Sequence, residues 1–401
     1  MKKIKISNIG PLSNVNILLS RINLLIGPQS SGKSCILKIA SFCAWTEKSI
    51  ELNQSEKPFL SKDAINRNLV DFHNLQGYIN DDSYIEYETD TMRFSYTFRN
   101  DKYEFEWKEG RWDYKRSKIA YIVAERNVLS VIPNWYDLKF PNNSILDFLR
   151  DFSRSRKDID GGVNVLATGV KYVYDNVLDK DMVVLENGNK LNIQNVSSGL
   201  QSLVPLYVYA TFITDGIFRM DMRSVRDQNI TDNLLNELKK THPDGKFIDN
   251  DGMRIMVAAK EPWEIVDRFT KYDHTDIFME EPEENLFPET QHDLVNWLAG
   301  LMNGERRHSL FIATHSPYIM SAFNNLIQAG DIIEEFPKKR SEVEKIIGGS
   351  RAVSYDDVAA FAITDGTVHP IKDDELRLIS PSELDTASDN ISNVFNQLLQ
   401  L

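Results

Sequence analysis

The sequence predicts an α/β protein with a mixed central sheet, an antiparallel β-subdomain and a helical lobe. Three observations support this fold class: apolar runs typical of buried strands are followed by helical patterns, residues 83–115 alternate aromatic and charged side chains, and residues 213–270 are polar and mostly helical. The chain has 401 residues, of which 42% are hydrophobic, so it can bury a large core as one elaborated domain or two lobes. We expect two lobes.

The N-terminal region predicts three short strands and a helix. The strands span Lys2–Ile6, Val15–Leu19 and Ile22–Ile26, and the segment NIGPLSN between the first two is a turn cluster. Residues 34–44 then carry apolar side chains at three- and four-residue spacing, which is typical of a helix. A polar helical pattern continues from about residue 53 to residue 78.

An antiparallel meander is predicted for residues 83–115, with turns at Arg99-Asn100-Asp101 and Glu109-Gly110. Its aromatic stripe either packs on the sheet or forms a base-stacking surface, and we favour packing. The stripe includes Tyr96, Phe98, Tyr103 and Phe105.

The stretch GPQSSGKS fits the pattern G-x-x-x-x-G-K-[ST]. Glycines at this spacing let backbone N–H groups wrap phosphates, the lysine reaches the β- and γ-phosphate oxygens, and the hydroxyl meets Mg²⁺. The predicted strand before the loop and the helix after it are the context that this motif requires. The residues expected to line a nucleotide are Gly27, Pro28, Gln29, Ser30, Ser31, Gly32, Lys33, Ser34 and Cys35.

Two further predicted strands end in residues that suit phosphate chemistry. Ile277–Met279 is followed by Glu280 and Glu281. Two carboxylates at the end of a core strand have a high desolvation energy unless they bind a cation or take part in proton transfer. We therefore expect Glu280 at the Mg²⁺ and Glu281 at the attacking water. Leu310–Ala313 is followed shortly by His315, which can contact the γ-phosphate; taken alone, it also fits a structural strand-end histidine.

The segment Lys118–Asn127 is an apolar run that ends in charge. It predicts a core strand that places Glu125 and Arg126 at the edge of the sheet where ligands bind. Ser144–Ser155 then predicts a helix, and Asn187-Gly188 is the predicted turn of a β-pair that leads into the segment NVSSGLQ.

The order of the P-loop motif, VAERN, VSSGLQ, FMEEPEENLFP and IATHSP resembles ABC-type ATPases of the RecF, SMC and OLD kind, within the AAA family ATPases, rather than transporters. The resemblance extends over nearly the whole chain. It implies an ABC-type P-loop ATPase head that binds ATP with Mg²⁺ and hydrolyses it.

The resemblance also implies a role for each matching residue. Ser197, Ser198 and Gly199 match the signature segment, which in that family reaches across a dimer to the γ-phosphate bound by the other subunit. Arg126 lies where the family carries its Q-loop and is expected to contact the nucleotide. The catalytic residues implied are Lys33, Glu281 and His315, and the metal ligands are Ser34 and Glu280, the latter in place of the usual Walker B aspartate.

The C-terminal part of the sequence distinguishes among the classes of ATPase that the chain resembles. OLD nucleases continue into a Toprim nuclease, whereas this sequence ends too soon after His315 for such a domain, and the long heptads of SMC proteins are absent from residues 200–270. Residues 353–385 predict a few strands and a turn, and Asp385–Leu401 resembles a terminal amphipathic helix. The chain is thus similar to standalone ATPases of bacterial anti-phage modules such as PARIS or Septu.

This resemblance implies a nucleotide-dependent sensor and scaffold that forms a homodimer or higher homo-oligomer and controls a separate effector, a nuclease or a toxin. The expected organisation is an N-terminal part of the ATPase head in residues 1–212, an inserted helical arm or cap in 213–270, and a C-terminal part of the head in 271–401.

An alternative function is a RecF-type DNA-repair clamp, which needs a basic stripe. The formal net charge of −13 opposes broad nucleic-acid binding, so any contact would be local. For each basic cluster, a solvated surface is the favoured interpretation. The candidates are Arg154, Arg156, Lys157, Arg306, Arg307, His308, Lys338, Lys339 and Arg340.

A third alternative is a nuclease with a metal site in the arm, at His242, Asp244, Asp249 and Asp251, although their spacing matches no metal motif. Cys35 and Cys43 lie eight residues apart on the predicted helix and are expected to be buried packing residues. With no apolar run long enough to span a membrane and no signal peptide at the start, we expect a cytoplasmic protein without a membrane partner.

Overall fold

The computed structural model of the chain describes residues 2–159, 161–219, 225–241, 246–248, 254–256, 262–380 and 394–398. Helices surround one large mixed sheet, which confirms the predicted α/β fold class. In the part of the chain that is described, no helix is long and apolar enough to cross a bilayer.

Groups of strands are separated by helices along the chain. The strands are β1 (Lys2–Ile9), β2 (Leu12–Leu19), β3 (Ile22–Ile26), β4 (Tyr84–Glu88), β5 (Met92–Thr97), β6 (Lys102–Trp107), β7 (Ser117–Ile122), β8 (Val163–Asn164), β9 (Val170–Asp175), β10 (Lys180–Leu185), β11 (Lys190–Asn192), β12 (Lys246–Ile248), β13 (Arg254–Met256), β14 (His274–Glu280), β15 (Ser309–Thr314), β16 (Val358–Thr364), β17 (Thr367–Pro370), β18 (Lys372–Asp373) and β19 (Leu378–Ile379). The helices are α1 (Lys33–Asn53), α2 (Lys57–Leu60), α3 (Lys62–Ile65), α4 (Val128–Val131), α5 (Ser144–Asp158), α6 (Ser198–Thr211), α7 (Ile217–Arg219), α8 (Val225–Thr241), α9 (Pro262–Thr270), α10 (Pro288–Met302), α11 (Pro317–Glu335) and α12 (Arg340–Ile346).

The large sheet has 11 strands in the order β6-β5-β4-β1-β2-β17-β16-β3-β15-β14-β7. The half of the sheet that ends at β7 is parallel: β3 pairs with β16 and β15, and β14 pairs with β15 and β7. These strands are buried almost throughout, which explains their continuous apolar sequences. The carboxyl ends of β3, β15 and β14 therefore lie side by side.

The other half of the sheet contains the predicted meander. Strands β4, β5 and β6 pair in succession, and β4 joins the sheet by pairing with β1. Tyr96 is only 2% exposed, and its ring lies 4.9 Å from that of Phe98. The aromatic stripe thus packs on the sheet, as we favoured. A separate four-stranded sheet has the order β11-β10-β9-β8 and includes the predicted β-pair.

Helix α1 follows the predicted pattern but is longer than expected. It packs against β7, β14 and β15 and continues to Asn53, where Gln54 enters the left-handed region at φ 53°. Cys35 and Cys43 are free and buried on it, which confirms their packing role. The polar helical pattern after it is broken into α2, α3 and a π-helical turn, because Pro58 and the cap Ser61 each start a new helix.

The described parts of the predicted arm pack on the C-terminal end of α1. Helices α8 and α9 share a small apolar cluster with α1 and with the segment before β7. The cluster contains Leu52, Tyr114, Ile230, Leu234, Leu238, Ile265 and Phe269. The boundaries at residues 212 and 270 stay predictions. Of the predicted terminal helix, residues 394–398 are described and helical, and the rest lies outside the described residues.

A buried ionic cluster lies at the amino ends of the parallel strands. Asp276 of β14 is 2% exposed, accepts a hydrogen bond from Ser309 of β15, and lies 3.7 Å from the Nζ atom of Lys2 in β1. Burial alone would lower the pKa of His274, but hydrogen bonds to Asp273 and Asp276 raise it to about 9. The cluster therefore joins β1, β14 and β15 through charges, each of which is stabilised by its partner.

The raised pKa of His274 predicts a pH-dependent stability. Its contribution is fully present below the unfolded-state pKa of about 6.5 and is lost as the pH rises through about 9. We expect His274→Gln to lower the free energy of unfolding by up to about 3 kcal/mol at pH 6, and by much less at pH 10. Urea unfolding of both proteins over this range measures the gap, with His369→Gln on the surface as the control. A gap that does not change with pH would contradict the assignment.

Candidate functional site

The carboxyl ends of β3, β15 and β14 form the candidate site. Ile26 is paired with Thr314, and Ala313 is paired with Glu280, so the loops after these three strands begin at one edge of the sheet. The structure thus brings together segments that are far apart in the sequence.

The loop from Gly27 to Gly32 leads from β3 into α1. Ser30 and Gly32 have left-handed backbones, with φ of 60° and 107°. A Cβ atom on Gly27 would lie 2.7 Å from the carbonyl oxygen of Ile363 in β16, so the site has no room for a larger residue. No side chain caps α1, and its first turn has no acidic residue. The N–H groups at the start of α1 are therefore suited to bind an anion.

Lys33 lies at the centre of the candidate site and is 4% exposed. Its Nζ atom donates to the carbonyl oxygens of Gly27 at 2.8 Å and Pro28 at 2.7 Å, and lies 3.3 Å from Nδ1 of His315. Burial lowers the pKa of Lys33 to about 8, against the opposing effect of Glu281 and Glu283. An anion beside Lys33 would favour its charged form.

His315 connects Lys33 to Glu281. Its Nε2 atom lies 3.2 Å from Oε1 of Glu281, and its backbone N–H donates to Glu283 at 2.6 Å. If Lys33 donates to Nδ1, the proton on the ring is at Nε2, the ring nitrogen that contacts Glu281. Glu281 itself has φ of 40°, and its N–H donates to Ala313 at 2.8 Å. The structure therefore joins the three predicted catalytic residues in one polar chain.

Glu280 and Ser34 lie together beside this chain. Glu280 is 8% exposed; burial raises its pKa, whereas Lys38 and hydrogen bonds from Tyr121 and Ser34 oppose this effect. A buried carboxylate next to a hydroxyl offers the hard oxygen ligands that Mg²⁺ prefers. No group of three His, Cys, Asp or Glu side chains among the described residues could hold a metal, so phosphate and water oxygens would have to complete the shell. These two residues fit a nucleotide-bound Mg²⁺.

Tyr121 of β7 is a site residue that the sequence analysis missed. Its hydroxyl donates to Oε1 of Glu280, across the parallel pair β7 and β14. The only available signal was a polar-tipped aromatic residue near the end of a predicted core strand, and such residues are common in ordinary cores.

The predicted signature residues are at the N-terminus of α6. Ser197 and Ser198 are exposed, and neither side chain caps the helix. A Cβ atom on Gly199 would lie 2.9 Å from the carbonyl oxygen of Asn285, in the loop that follows Glu281. The glycine thus allows close contact between α6 and that loop.

The prediction that Arg126 contacts nucleotide does not fit the structure. The strand β7 ends at Ile122, and a 3-10 turn, Ala124–Asn127, buries Arg126 completely. Each of its five N–H groups has a backbone carbonyl as acceptor, so none is left for a phosphate.

The candidate basic clusters are largely paired within the chain. Arg156 is buried and bonds Asp179 and Asp181, Arg307 pairs with Asp357, and Arg340 lies 3.6 Å from Glu344. These pairings support a structural or solvated interpretation over a DNA-binding stripe. The four residues of the proposed nuclease site, His242, Asp244, Asp249 and Asp251, lie outside the described residues.

One protein-family model matches part of the chain. Residues 22–130 match the family model described as "AAA domain, putative AbiEii toxin, Type IV TA system", and this range includes the P-loop, the meander and Arg126. No curated protein matches the sequence at a significant level.

Several solved structures are similar over most of their length. The SMC head domain from Thermotoga maritima is 10% identical, with a TM-score of 0.40 over 92% of this chain and 98% of that chain. The recombination mediator RecF is 11% identical, with a TM-score of 0.32 over 92% and 97%. An ATP-binding cassette in a dimeric post-hydrolysis state with ADP and Pi is 11% identical, with a TM-score of 0.28 over 92% and 99%. Likeness at this level carries no conclusion about function.

The close approach of β16 to Gly27 predicts a specific cost. We expect Gly27→Ala to lower the free energy of unfolding by about 1–3 kcal/mol, because the new methyl group meets a backbone carbonyl that cannot rotate away. Gly300→Ala in α10 is the control, since its Cβ atom would be 4.0 Å from the nearest side chain. Thermal unfolding of both variants measures the difference, and equal stability would contradict this account of the loop.

Proposed function

We propose that the protein binds ATP with Mg²⁺ and hydrolyses it as an ABC-type ATPase. The observation that carries the proposal is the polar chain of Lys33, His315 and Glu281 at the carboxyl ends of three adjacent parallel strands. The AAA-domain match over residues 22–130, which includes Lys33, supports the proposal.

The phosphates would bind between the glycine-containing loop and the N-terminus of α1. Lys33 would exchange the carbonyl oxygens of Gly27 and Pro28 for phosphate oxygens, and the phosphate charge would keep its ammonium group protonated. The proposal assigns ATP rather than another nucleotide from the resemblance of the motifs alone.

Glu281 would orient the attacking water and take its proton, while His315 fixes the direction of that carboxylate. Ser34 and Glu280 would hold Mg²⁺, which stabilises the charge that develops on the phosphate oxygens. Tyr121 orients the Glu280 carboxylate by donating to its Oε1 atom.

A second part of the proposal is a homodimer or higher homo-oligomer. The exposed Ser197 and Ser198 at the N-terminus of α6 suit a phosphate on another subunit, as the resemblance to the signature segment implies. We propose that ATP-driven assembly controls a separate nuclease or toxin in anti-phage defence, inside the cytoplasm. The reference to a toxin system in the description of the matching family supports this assignment. A DNA-repair clamp has less support, because the basic clusters are paired.

Two variants should separate nucleotide binding from hydrolysis. Lys33→Ala should weaken ATP binding at least about tenfold, because water in the place of the ammonium group cannot supply its charge at the phosphates. Glu281→Gln should bind ATP within about twofold of wild type and hydrolyse it at least about a hundredfold more slowly. Equilibrium binding and single-turnover hydrolysis measure the two steps, with the exposed residues Lys62→Ala and Glu342→Gln as controls. Wild-type turnover in Glu281→Gln would show that the carboxylate assignment is wrong.

The same hydrolysis-deficient variant tests effector control. Tagged Glu281→Gln, expressed with its native neighbouring genes, should be recovered as an ATPase oligomer with a stoichiometric nuclease-like or toxin-like protein. Native mass spectrometry of the purified complex, compared with Lys33→Ala, gives composition and nucleotide dependence. Recovery of a bare dimer with bound DNA would instead favour the repair clamp.

A further inference from the structure

Arg126 is the most completely enclosed charge beside the candidate site. Its side chain is 0% exposed, and its nearest carboxylate oxygen, Oε2 of Glu284, lies 3.6 Å from Nη1. A buried guanidinium is costly unless its N–H groups all find acceptors. Here the acceptors are backbone oxygens, so the side chain fixes the course of the chain around it.

The carbonyl groups that Arg126 binds belong to three separate segments. Its acceptors, at 2.8–3.4 Å, are the carbonyl oxygens of Val123, Ser202, Glu280, Glu281 and Pro282. One side chain therefore joins the end of β7, the loop after β14 and the first turns of α6.

The loop that Arg126 holds has an unfavourable backbone conformation. Glu281 has φ of 40°, which costs on the order of 1 kcal/mol or more for a residue with a side chain. Its N–H is fixed by Ala313, and its carbonyl is fixed by Nη2 of Arg126 at 2.8 Å. Both peptide groups of Glu281 are thus held while its carboxylate contacts His315.

A second set of contacts joins the same loop to α6. The side-chain amide of Asn285 donates to Oγ of Ser202 at 2.9 Å, and Asn285 also has a left-handed backbone, with φ of 58°. The carbonyl of Asn285 lies against Gly199, where a Cβ atom would approach to 2.9 Å. A shift of the loop after β14 would therefore move the N-terminal turn of α6. A shift of that turn would likewise move the loop.

We propose that Arg126 is a positioning residue that sets the backbone of Glu281 and couples it to α6. The inference rests on the proposed function, in which Glu281 serves the nucleotide of its own subunit and the N-terminus of α6 meets the nucleotide of the partner subunit. Arg126 then links the two nucleotide sites of a dimer without touching either nucleotide.

The decisive comparison is Arg126→Lys against Arg156→Lys. Both arginines are buried, but Arg156 bonds Asp179 and Asp181. A lysine keeps the charge and cannot reach three segments at once, since its donors lie on one atom. Without nucleotide, Arg126→Lys should speed amide hydrogen exchange at least about tenfold in both residues 280–286 and residues 198–204. Arg156→Lys should leave exchange in both segments at the wild-type rate.

Kinetics provide a readout that a purely structural role would not give. In Arg126→Lys we expect kcat for ATP to fall about tenfold to a hundredfold, with KM and the ATP dissociation constant within about twofold of wild type. Asn285→Ala removes the hydrogen bond to Ser202 and also disfavours the left-handed backbone at this position, so both changes loosen the contact between the loop and α6. It should show the same pattern at smaller amplitude and replaces Arg126→Lys if that variant does not fold.

Three results would overturn the inference. Faster exchange confined to residues 280–286 would exclude coupling to α6, and unchanged exchange in both segments would exclude positioning altogether. A higher KM with normal kcat would make Arg126 a nucleotide contact. If the wild-type protein itself shows no ATP turnover, the proposed function fails, while the exchange comparison still decides the role of Arg126.

Discussion

The parallel pairing of β15 between β3 and β14 is the constraint on which the candidate site depends. Through it, loops that begin after Ile26, Thr314 and Glu280 start at one edge of the sheet. The rings of Phe278 and Phe311, which are paired across β14 and β15, stack with centroids 4.5 Å apart and add a side-chain contact between the two strands. A slip of one residue would turn buried side chains to the opposite face and separate His315 from Glu281.

The site concentrates negative charge in a protein that is already acidic. Four glutamates fall within residues 280–284, and each has a different partner. Tyr121 donates to Glu280, the ring of His315 contacts Glu281, the backbone N–H of His315 donates to Glu283, and the guanidinium of Arg126 lies near Glu284. The like charges still act on one another: burial raises the pKa of Glu284, Arg126 opposes this effect, and the neighbouring Glu281 raises the pKa further. In the proposed function, a polyphosphate entering this region would need the charge of Lys33 and of Mg²⁺ together.

The sequence predicts features that are local or periodic. The P-loop was predictable because strand, glycine spacing and helix lie within one short segment, and the apolar strands that precede Glu280 and His315 were recognisable by their composition. The predicted nucleotide contact of Arg126 does not fit its burial, because an apolar run that ends in charge does not show whether the next side chain points into the core or toward a ligand. Tyr121 was missed because its importance depends on a neighbour far away in the sequence. Helix α1 is longer than the predicted residues 34–44, because buried polar residues such as Glu47 and Glu51 interrupt the apolar spacing of its second half.

We propose that the polar chain of Lys33, His315 and Glu281 binds a nucleotide. A crystal structure of the Glu281→Gln variant with ATP and Mg²⁺ tests it most directly. We expect a γ-phosphate bound to Lys33, with Nζ released from the carbonyl oxygens of Gly27 and Pro28, and Mg²⁺ on Ser34 and Glu280. Nucleotide bound elsewhere, or Lys33 still held by those two carbonyl groups in the complex, would contradict the account.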